Sequence, residues 1–136
     1  VNTDEYFACL INKAKKIYYP RVCGDEMSFY RVRSLDELNC GSFNINEPDM
    51  TDEYTQADGR ALMIVPGLGF SDTGYRIGYG KGFYDRYLSS FTKRDTVTAV
   101  GVGYDFQLLG NVTFEDEYDV PLDGVITDKR EVFIDD

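Results

Sequence analysis

The sequence predicts an α/β fold, a mostly parallel sheet flanked by helices in three layers. Three observations carry this. Segments of strand length recur at 16–19, 61–65, 97–103 and 124–127. Segments with helical spacing stand at 4–14 and 83–91, ahead of strand candidates. The stretch Ala61-Leu62-Met63-Ile64-Val65 is apolar without alternation, the pattern of a strand covered on both faces. Helix and strand in alternation define the layered class, because parallel neighbours need a crossover of helix length between them.

The elements follow in order. Thr3 takes an N-cap position, with Asp4 and Glu5 in the first turn. Phe7, Leu10, Ile11 and Ala14 then fall at i, i+3, i+4 and i+7, so residues 4–14 read as an amphipathic helix. Lys16-Ile17-Tyr18-Tyr19 reads as a strand stopped by Pro20, and Met27 to Val32 as a second strand beyond Gly24-Asp25. Ser34-x-x-Glu37 has the form of a capping box for one short helical turn. Residues 39–60 are polar, with Gly41, Pro48 and Gly59, and predict an ordered loop with little regular structure. After the 61–65 strand a long loop, 66–82, carries the glycines. Residues 83–91 are expected to be helical, with Phe83, Tyr87, Leu88 and Phe91 on one side. Thr96 to Tyr104 alternates β-branched and small residues, as a central strand does. Phe106-Gln107-Leu108-Leu109 reads as a helical turn, and Gly124-Val125-Ile126-Thr127 and Val132-Phe133-Ile134 as strands. The expected topology is Rossmann-like. Ligands in such sheets bind beyond the carboxyl ends of the strands, where the loop after 61–65 falls. The chain opens on a helix, so a preceding strand and its site residues are expected upstream.

A length of 136 residues fits a single domain over 1–136, and 43% apolar residues suffice for a core. Net charge is −10, from 24 acidic and 14 basic residues, a field that disfavours nucleic acid and anionic membrane as partners. No apolar run approaches the ~20 residues of a membrane helix. The chain has no histidine, which excludes Ser-His-Asp and Cys-His mechanisms within it. Cys9, Cys23 and Cys40 are odd in number and lack a C-x-x-C pair, so zinc spacing is absent and they read as reduced thiols of a cytoplasmic protein. Val1 opens the chain without a methionine, and the reading is of a piece of a longer domain.

Residues 74–85, Gly-Tyr-Arg-Ile-Gly-Tyr-Gly-Lys-Gly-Phe-Tyr-Asp, carry the chemistry. Strand, glycine loop and helix is how chains cradle phosphate, because bare backbone N–H groups can close on an anion. Arg76 and Lys81 add positive charge, and Asp85 offers a carboxylate to a divalent cation. The spacing Gly78-x-Gly80-x-Gly82 is neither a Walker A motif nor G-x-G-x-x-G. On glycine spacing alone, a tight turn without ligand is as good a reading as a phosphate site. Plainer readings stand beside the others: Asp85 as a first-turn residue, Arg76 paired with Asp72, Lys81 as a solvated cation, Glu47-Pro48 as a loop fastener. Tyr104 and Gln107 read equally as core or pocket residues.

The longer string resembles the signature of the 5-formyltetrahydrofolate cyclo-ligase family, the methenyltetrahydrofolate synthetases. The resemblance rests on Val65-Pro66-Gly67-Leu68-Gly69-Phe70 and on Gly74 through Leu88. It extends to Tyr19-Pro20-Arg21-Val22, Ile45-Asn46-Glu47-Pro48, Val100-Gly101-Val102-Gly103-Tyr104, Gln107-Leu108-Leu109 and Asp119 through Thr127, in the right order over nearly the whole chain. It implies that 5-formyltetrahydrofolate and MgATP are converted to 5,10-methenyltetrahydrofolate, ADP and phosphate. It implies ATP contacts at Arg76, Ile77, Gly78, Tyr79, Gly80, Lys81, Gly82, Phe83 and Tyr84, with Arg76 and Lys81 stabilising the transferring phosphoryl group. Phe83 and Tyr84 match positions lining the folate pocket, and Asp85 and Asp119 match the Mg²⁺ positions. The implied partners are small molecules alone, with no nucleic acid or membrane, for a monomer. Two positions depart from the family pattern: Tyr118 stands where histidine is usual, and Phe83 where tyrosine is usual. Family members carry a basic helix, a strand and a folate-contacting glutamate that fall before Val1, so the chain is expected to be a cyclo-ligase domain without its N-terminal part. The alternatives are a non-catalytic nucleotide- or folate-binding module and a sugar-phosphate or CoA-handling enzyme on a similar sheet.

Overall fold

A two-residue turn at Gly24-Asp25 decides the first part of the chain. The structure, a computed structural model, describes residues 12, 13, 15–40, 46–78, 82–91, 94–110 and 120–134. The chain divides into two compact units, Val1–Asp58 and Gly59–Asp136. The helix expected at 4–14 lies outside the described residues except at Asn12 and Lys13.

In the first unit, Gly24 takes φ 63°, a left-handed conformation that glycine adopts without a Cβ penalty. It folds β1 (Tyr18–Cys23) back on β2 (Glu26–Arg31) as an antiparallel ribbon, from Tyr18 opposite Arg31 to Cys23 opposite Glu26. Two expectations are corrected here. The first strand pairs within this ribbon, not within the parallel sheet, because the tight turn hands it to its sequence neighbour. It also runs through Pro20 instead of stopping there. Val32 N–H donates to Ile17 O at 2.9 Å, and that register turns the amide position of Pro20 to the outer edge of the ribbon. A missing donor is tolerated at such an edge. The outer edge of β2 is taken by residues 52–54: Tyr54 N–H donates to Phe29 O and Arg31 N–H to Asp52 O. Met27, Tyr30, Val32, Pro48 and Tyr54 are buried, and Tyr18 meets the Tyr54 ring edge-on at 5.4 Å.

Ser34 caps the single 3₁₀ turn Leu35–Glu37 by accepting from Asp36 N–H. The Glu37 carboxylate reaches Arg33 N–H at 2.9 Å, one residue ahead of the expected capping-box donor. Within 39–60 the described structure is sparse, as expected: β3 (Asn39–Cys40) pairs with β4 (Asn46–Glu47), and one 3₁₀ turn spans Gln56–Asp58.

The second unit holds a mixed α/β arrangement. β5 (Ala61–Val65) runs parallel to β8 (Val97–Val102), and β8 parallel to β9 (Gly124–Ile126). β10 (Glu131–Phe133) closes the sheet antiparallel to β9, giving the order β10-β9-β8-β5. The expected central strand is thus central among the described strands. Between β5 and β8 the chain forms a short hairpin, β6 (Gly69–Phe70) with β7 (Arg76–Ile77), and the helix α1 (Phe83–Ser89). The hairpin lies inside the stretch expected to be loop, because two-residue strands carry no readable period.

Burial on both faces of β5 is also corrected. Met63 and Val65 are buried, but Leu62 is 65% and Ile64 47% exposed. β5 lies at the sheet edge and one face is uncovered among the described residues. An apolar run records composition, not cover. The core gathers Met63, Val65, Phe70, Leu88, Val97, Ala99, Val100, Leu122 and Val125. Phe70 is its largest member. A Cβ added at Gly101 would stand 2.5 Å from its ring, and one at Gly67 3.0 Å. With Gly103, where a Cβ would stand 3.2 Å from the same ring, three bare backbones form the socket for one aromatic side chain.

Candidate functional site

The site is built at the carboxyl ends of β5 and β8. β5 ends at Val65, and Pro66-Gly67-Leu68 turn the chain into the hairpin. Leu68 N–H donates to Ile77 O at 2.7 Å, and the far turn is closed by Ser71, whose Oγ accepts from Tyr75 N–H at 3.1 Å. The hairpin returns through Arg76 and Ile77 to Gly78, the first glycine of the loop.

Arg76 lies across that loop entry. Its Nη1 donates to Pro66 O at 3.3 Å, and its guanidinium stands 5.0 Å from the centre of the Tyr84 ring. A Cβ at Gly78 would come within 2.7 Å of Nη1, so the glycine is what lets the guanidinium lie against the backbone. No salt bridge joins Arg76 to Asp72 among the described residues. Three expected site residues, Arg76, Gly78 and Tyr84, are therefore brought together. Ile77 is exposed beside them.

Gly82 takes φ 68° and ψ 18°, a left-handed conformation, at the N-cap of α1. Arg86 N–H donates to Gly82 O at 3.0 Å and opens the helix. Its side chain turns back, placing the guanidinium 5.1 Å from the Phe83 ring. Leu88 anchors the helix in the core, and Ser90 ends it. Phe83, Tyr84 and Asp85 are half-buried in the first turn. Tyr79, Gly80 and Lys81 lie outside the described residues, as does Asp119.

Asp85 has a partner that sequence reasoning missed. Its Oδ1 accepts the Val120 N–H at 3.0 Å. Val120 follows Asp119 in the chain, so one of the two expected metal carboxylates holds the backbone next to the other. Among the described residues no group of three or more His, Cys, Asp and Glu gathers as a ready cation cage. The donor chemistry still fits Mg²⁺, which takes one or two carboxylates and completes its shell with phosphate oxygens and water. A carboxylate has acceptor sites beyond the one Val120 uses.

β8 contributes a second wall. It continues into the single 3₁₀ turn Asp105–Gln107, held from below by β9 and its sequel. Arg130 Nε donates to Asp105 Oδ1 at 2.8 Å and Thr127 Oγ1 donates to the same oxygen at 2.9 Å. Those two hydrogen bonds, that from Arg130 first, pull the Asp105 carboxyl below its ordinary pKa. Asp105 N–H donates to Asp128 Oδ1 at 2.8 Å. Gln107, left open between core and pocket by the sequence, is half-buried and faces the loop entry. Its signal was present in Gln107-Leu108-Leu109, but nothing local says where an amide points.

Fold and loop define an α/β protein with a glycine-rich connection between a parallel strand and its following helix. The chain belongs to the 5-formyltetrahydrofolate cyclo-ligase family, whose sequence profile matches residues 1–128. A solved 5,10-methenyltetrahydrofolate synthetase from Aquifex aeolicus is 36% identical, with a TM-score of 0.80, covering 100% of this chain and 66% of its own. One from Mycoplasma pneumoniae is 27% identical, with a TM-score of 0.67, covering 95% and 66%. A probable 5-formyltetrahydrofolate cyclo-ligase of Caenorhabditis elegans is 26% identical over 99% of this chain and 70% of its own. The chain spans about two thirds of the length of these relatives.

Proposed function

We propose that the protein converts 5-formyltetrahydrofolate to 5,10-methenyltetrahydrofolate, using ATP and releasing ADP and phosphate. The observation that carries this is the loop entry in a chain of the cyclo-ligase family: Arg76 held against Gly78 and Tyr84 at the carboxyl end of a parallel strand. The formyl oxygen attacks the γ-phosphorus and the bond to ADP breaks. The neighbouring nitrogen then attacks the activated carbon and closes the five-membered ring, the carbon–oxygen bond breaks so that the former formyl oxygen leaves with the phosphoryl group as phosphate, and the nitrogen gives up its proton. No protein nucleophile is required, so a chain without histidine can perform it.

The residues supply position and charge. Arg76 and Lys81, with the N–H groups of Ile77 through Gly82, would grip the phosphates, where charge stabilisation is the main work of phosphoryl transfer. Phe83 and Tyr84 would offer flat surface to the pterin. Asp85 and Asp119 would hold Mg²⁺, which when bound neutralises charge on the phosphate oxygens. We further infer the three-layer, Rossmann-like arrangement around the sheet, supported by the parallel β5, β8 and β9 and the helix in the first crossover. A cytoplasmic, monomeric setting is inferred too; the exposed free thiol of Cys23 suits a reducing compartment. No helix among the described residues is long and apolar enough to cross a membrane.

The test is the near-ultraviolet absorbance of the methenyl product, followed in full-length protein with 5-formyltetrahydrofolate and MgATP. ATP-dependent product is expected. Nucleotide binding without turnover would replace the proposal with a binding module. Lys81→Ala is expected to weaken ATP use without unfolding the protein, and unaltered activity in that variant would remove the phosphate-cradle assignment.

A further inference from the structure

Gln107 is a polar side chain at this edge of the sheet that the proposed reaction does not use, and it reaches the loop entry. Its amide is engaged at both ends. Nε2 donates to Gly67 O at 3.1 Å and to Leu68 O at 3.2 Å, while Oε1 accepts the Tyr104 N–H at 2.8 Å. Gly103 makes the room, since a Cβ there would stand 2.7 Å from Oε1. The two carbonyls belong to the residues that lead out of β5 into the hairpin. Leu68 N–H in turn donates to Ile77 O at 2.7 Å, one residue before Gly78. The carbonyl just ahead of them, that of Pro66, is the acceptor for Arg76.

We propose that Gln107 is a positioning residue for the phosphate-binding loop, a clasp that fixes Gly67 and Leu68 and through them the strand presenting Arg76 and Gly78. This rests on the cyclo-ligase reading, because it concerns how ATP is held at that loop. Gln107 touches no reacting atom and acts through Leu68 and Ile77. It is not what keeps the hairpin attached. Leu109 N–H donates to Phe70 O at 2.7 Å, and the Phe70 ring is buried, so the hairpin stays docked at its other end without the amide. Losing the clasp therefore loosens the loop entry while leaving the fold in place.

Steady-state kinetics in the full-length protein separate these effects. Gln107→Ala is expected to raise the KM for ATP about tenfold, the equivalent of two modest hydrogen bonds, with kcat at saturating ATP changed by about twofold or less and the unfolding midpoint little moved. Gln107→Glu puts an acceptor against two carbonyls when ionised and restores a donor when protonated. The ratio of its ATP KM to that of the wild type is expected to fall between about pH 8 and about pH 5.5. An unchanged ATP KM in folded variants, or a loss of kcat that tracks the unfolding midpoint, overturns the proposal. Where Gln107→Ala fails to fold, Gln107→Glu carries the test. If the wild type forms no methenyl product, the cyclo-ligase reading fails on its own. Amide exchange at Leu68 then decides the clasp: faster exchange in Gln107→Ala upholds it, and equal exchange overturns it.

Discussion

At the scale of single residues, Asp85 carries two claims that one substitution can separate. Its carboxylate accepts from Val120 N–H at 3.0 Å, a structural role, and it is proposed to hold Mg²⁺. Asn keeps an oxygen acceptor and loses the charge. Asp85→Asn is therefore expected to leave unfolding free energy within about 0.5 kcal/mol of wild type. It should raise the Mg²⁺ concentration for half-maximal activity about tenfold or more, no less than the loss of an outer-shell partner does at other metal sites. Asp85→Ala removes both functions and is expected to cost about 1 kcal/mol of stability besides. A magnesium titration that overlays wild type in the Asn variant would leave Asp85 a clasp alone. Gly82 poses a backbone version of the question. Its φ of 68° is left-handed, and a Cβ there meets only the tip of Arg86, at 3.1 Å. The side chain can move aside but the dihedral cannot, so Gly82→Ala should cost about 1–2 kcal/mol, read from the denaturant midpoint.

Elements show what a sequence does and does not encode. The 61–65 strand, the central 97–102 strand and the helix beginning after Gly82 were legible because each has length, composition and a boundary residue that agree. The glycine loop was legible as a motif. What escaped was pairing: a short apolar segment does not say whether its partner is the next strand or a distant one, and Gly24 settled that for β1. Cover escaped too, since Leu62 and Ile64 are as apolar as Met63 and Val65. In the candidate site, Arg76 and Asp85 could be singled out by type, but the carbonyls facing Gln107 and the N–H facing Asp85 belong to backbone, which has no letter in the sequence. The socket for Phe70 is of the same kind. Gly101 sits within β8, next to its last residue, where glycine is a poor strand former, because a Cβ would stand 2.5 Å from the Phe70 ring. Phe70 is fully buried and cannot retreat. Gly101→Ala is expected to cost about 1–3 kcal/mol by overpacking. Adding Phe70→Leu should cost less in that background than in wild type, and strict additivity of the two changes would refute the socket.

Across the whole molecule, acid acts in two opposing ways. The chain carries a net charge of −10, so protonating carboxylates first relieves self-repulsion. It also destroys those interactions that need the carboxylate ionised, and Asp105 is one of these. Arg130 and Thr127 both donate to it, and its pKa is lowered in the folded state. A depressed folded value means that the unfolded chain takes up the proton first as pH falls. The stabilisation from Asp105 is therefore complete above its unfolded pKa near about 3.9 and is lost as pH drops through the lower folded value. Asp105→Asn removes the charge at every pH. The stability difference between wild type and this variant is expected to be constant from about pH 7 to about pH 5, and to shrink toward zero below about pH 4. Denaturant unfolding of both proteins across that range measures it. Because each curve carries the same relief of net repulsion to within one charge, subtraction isolates the single carboxylate. A difference that stays constant into strong acid would mean that Arg130 and Thr127 do not hold Asp105 in its ionised form, and that the turn bearing Gln107 is anchored by Asp128 and the backbone instead.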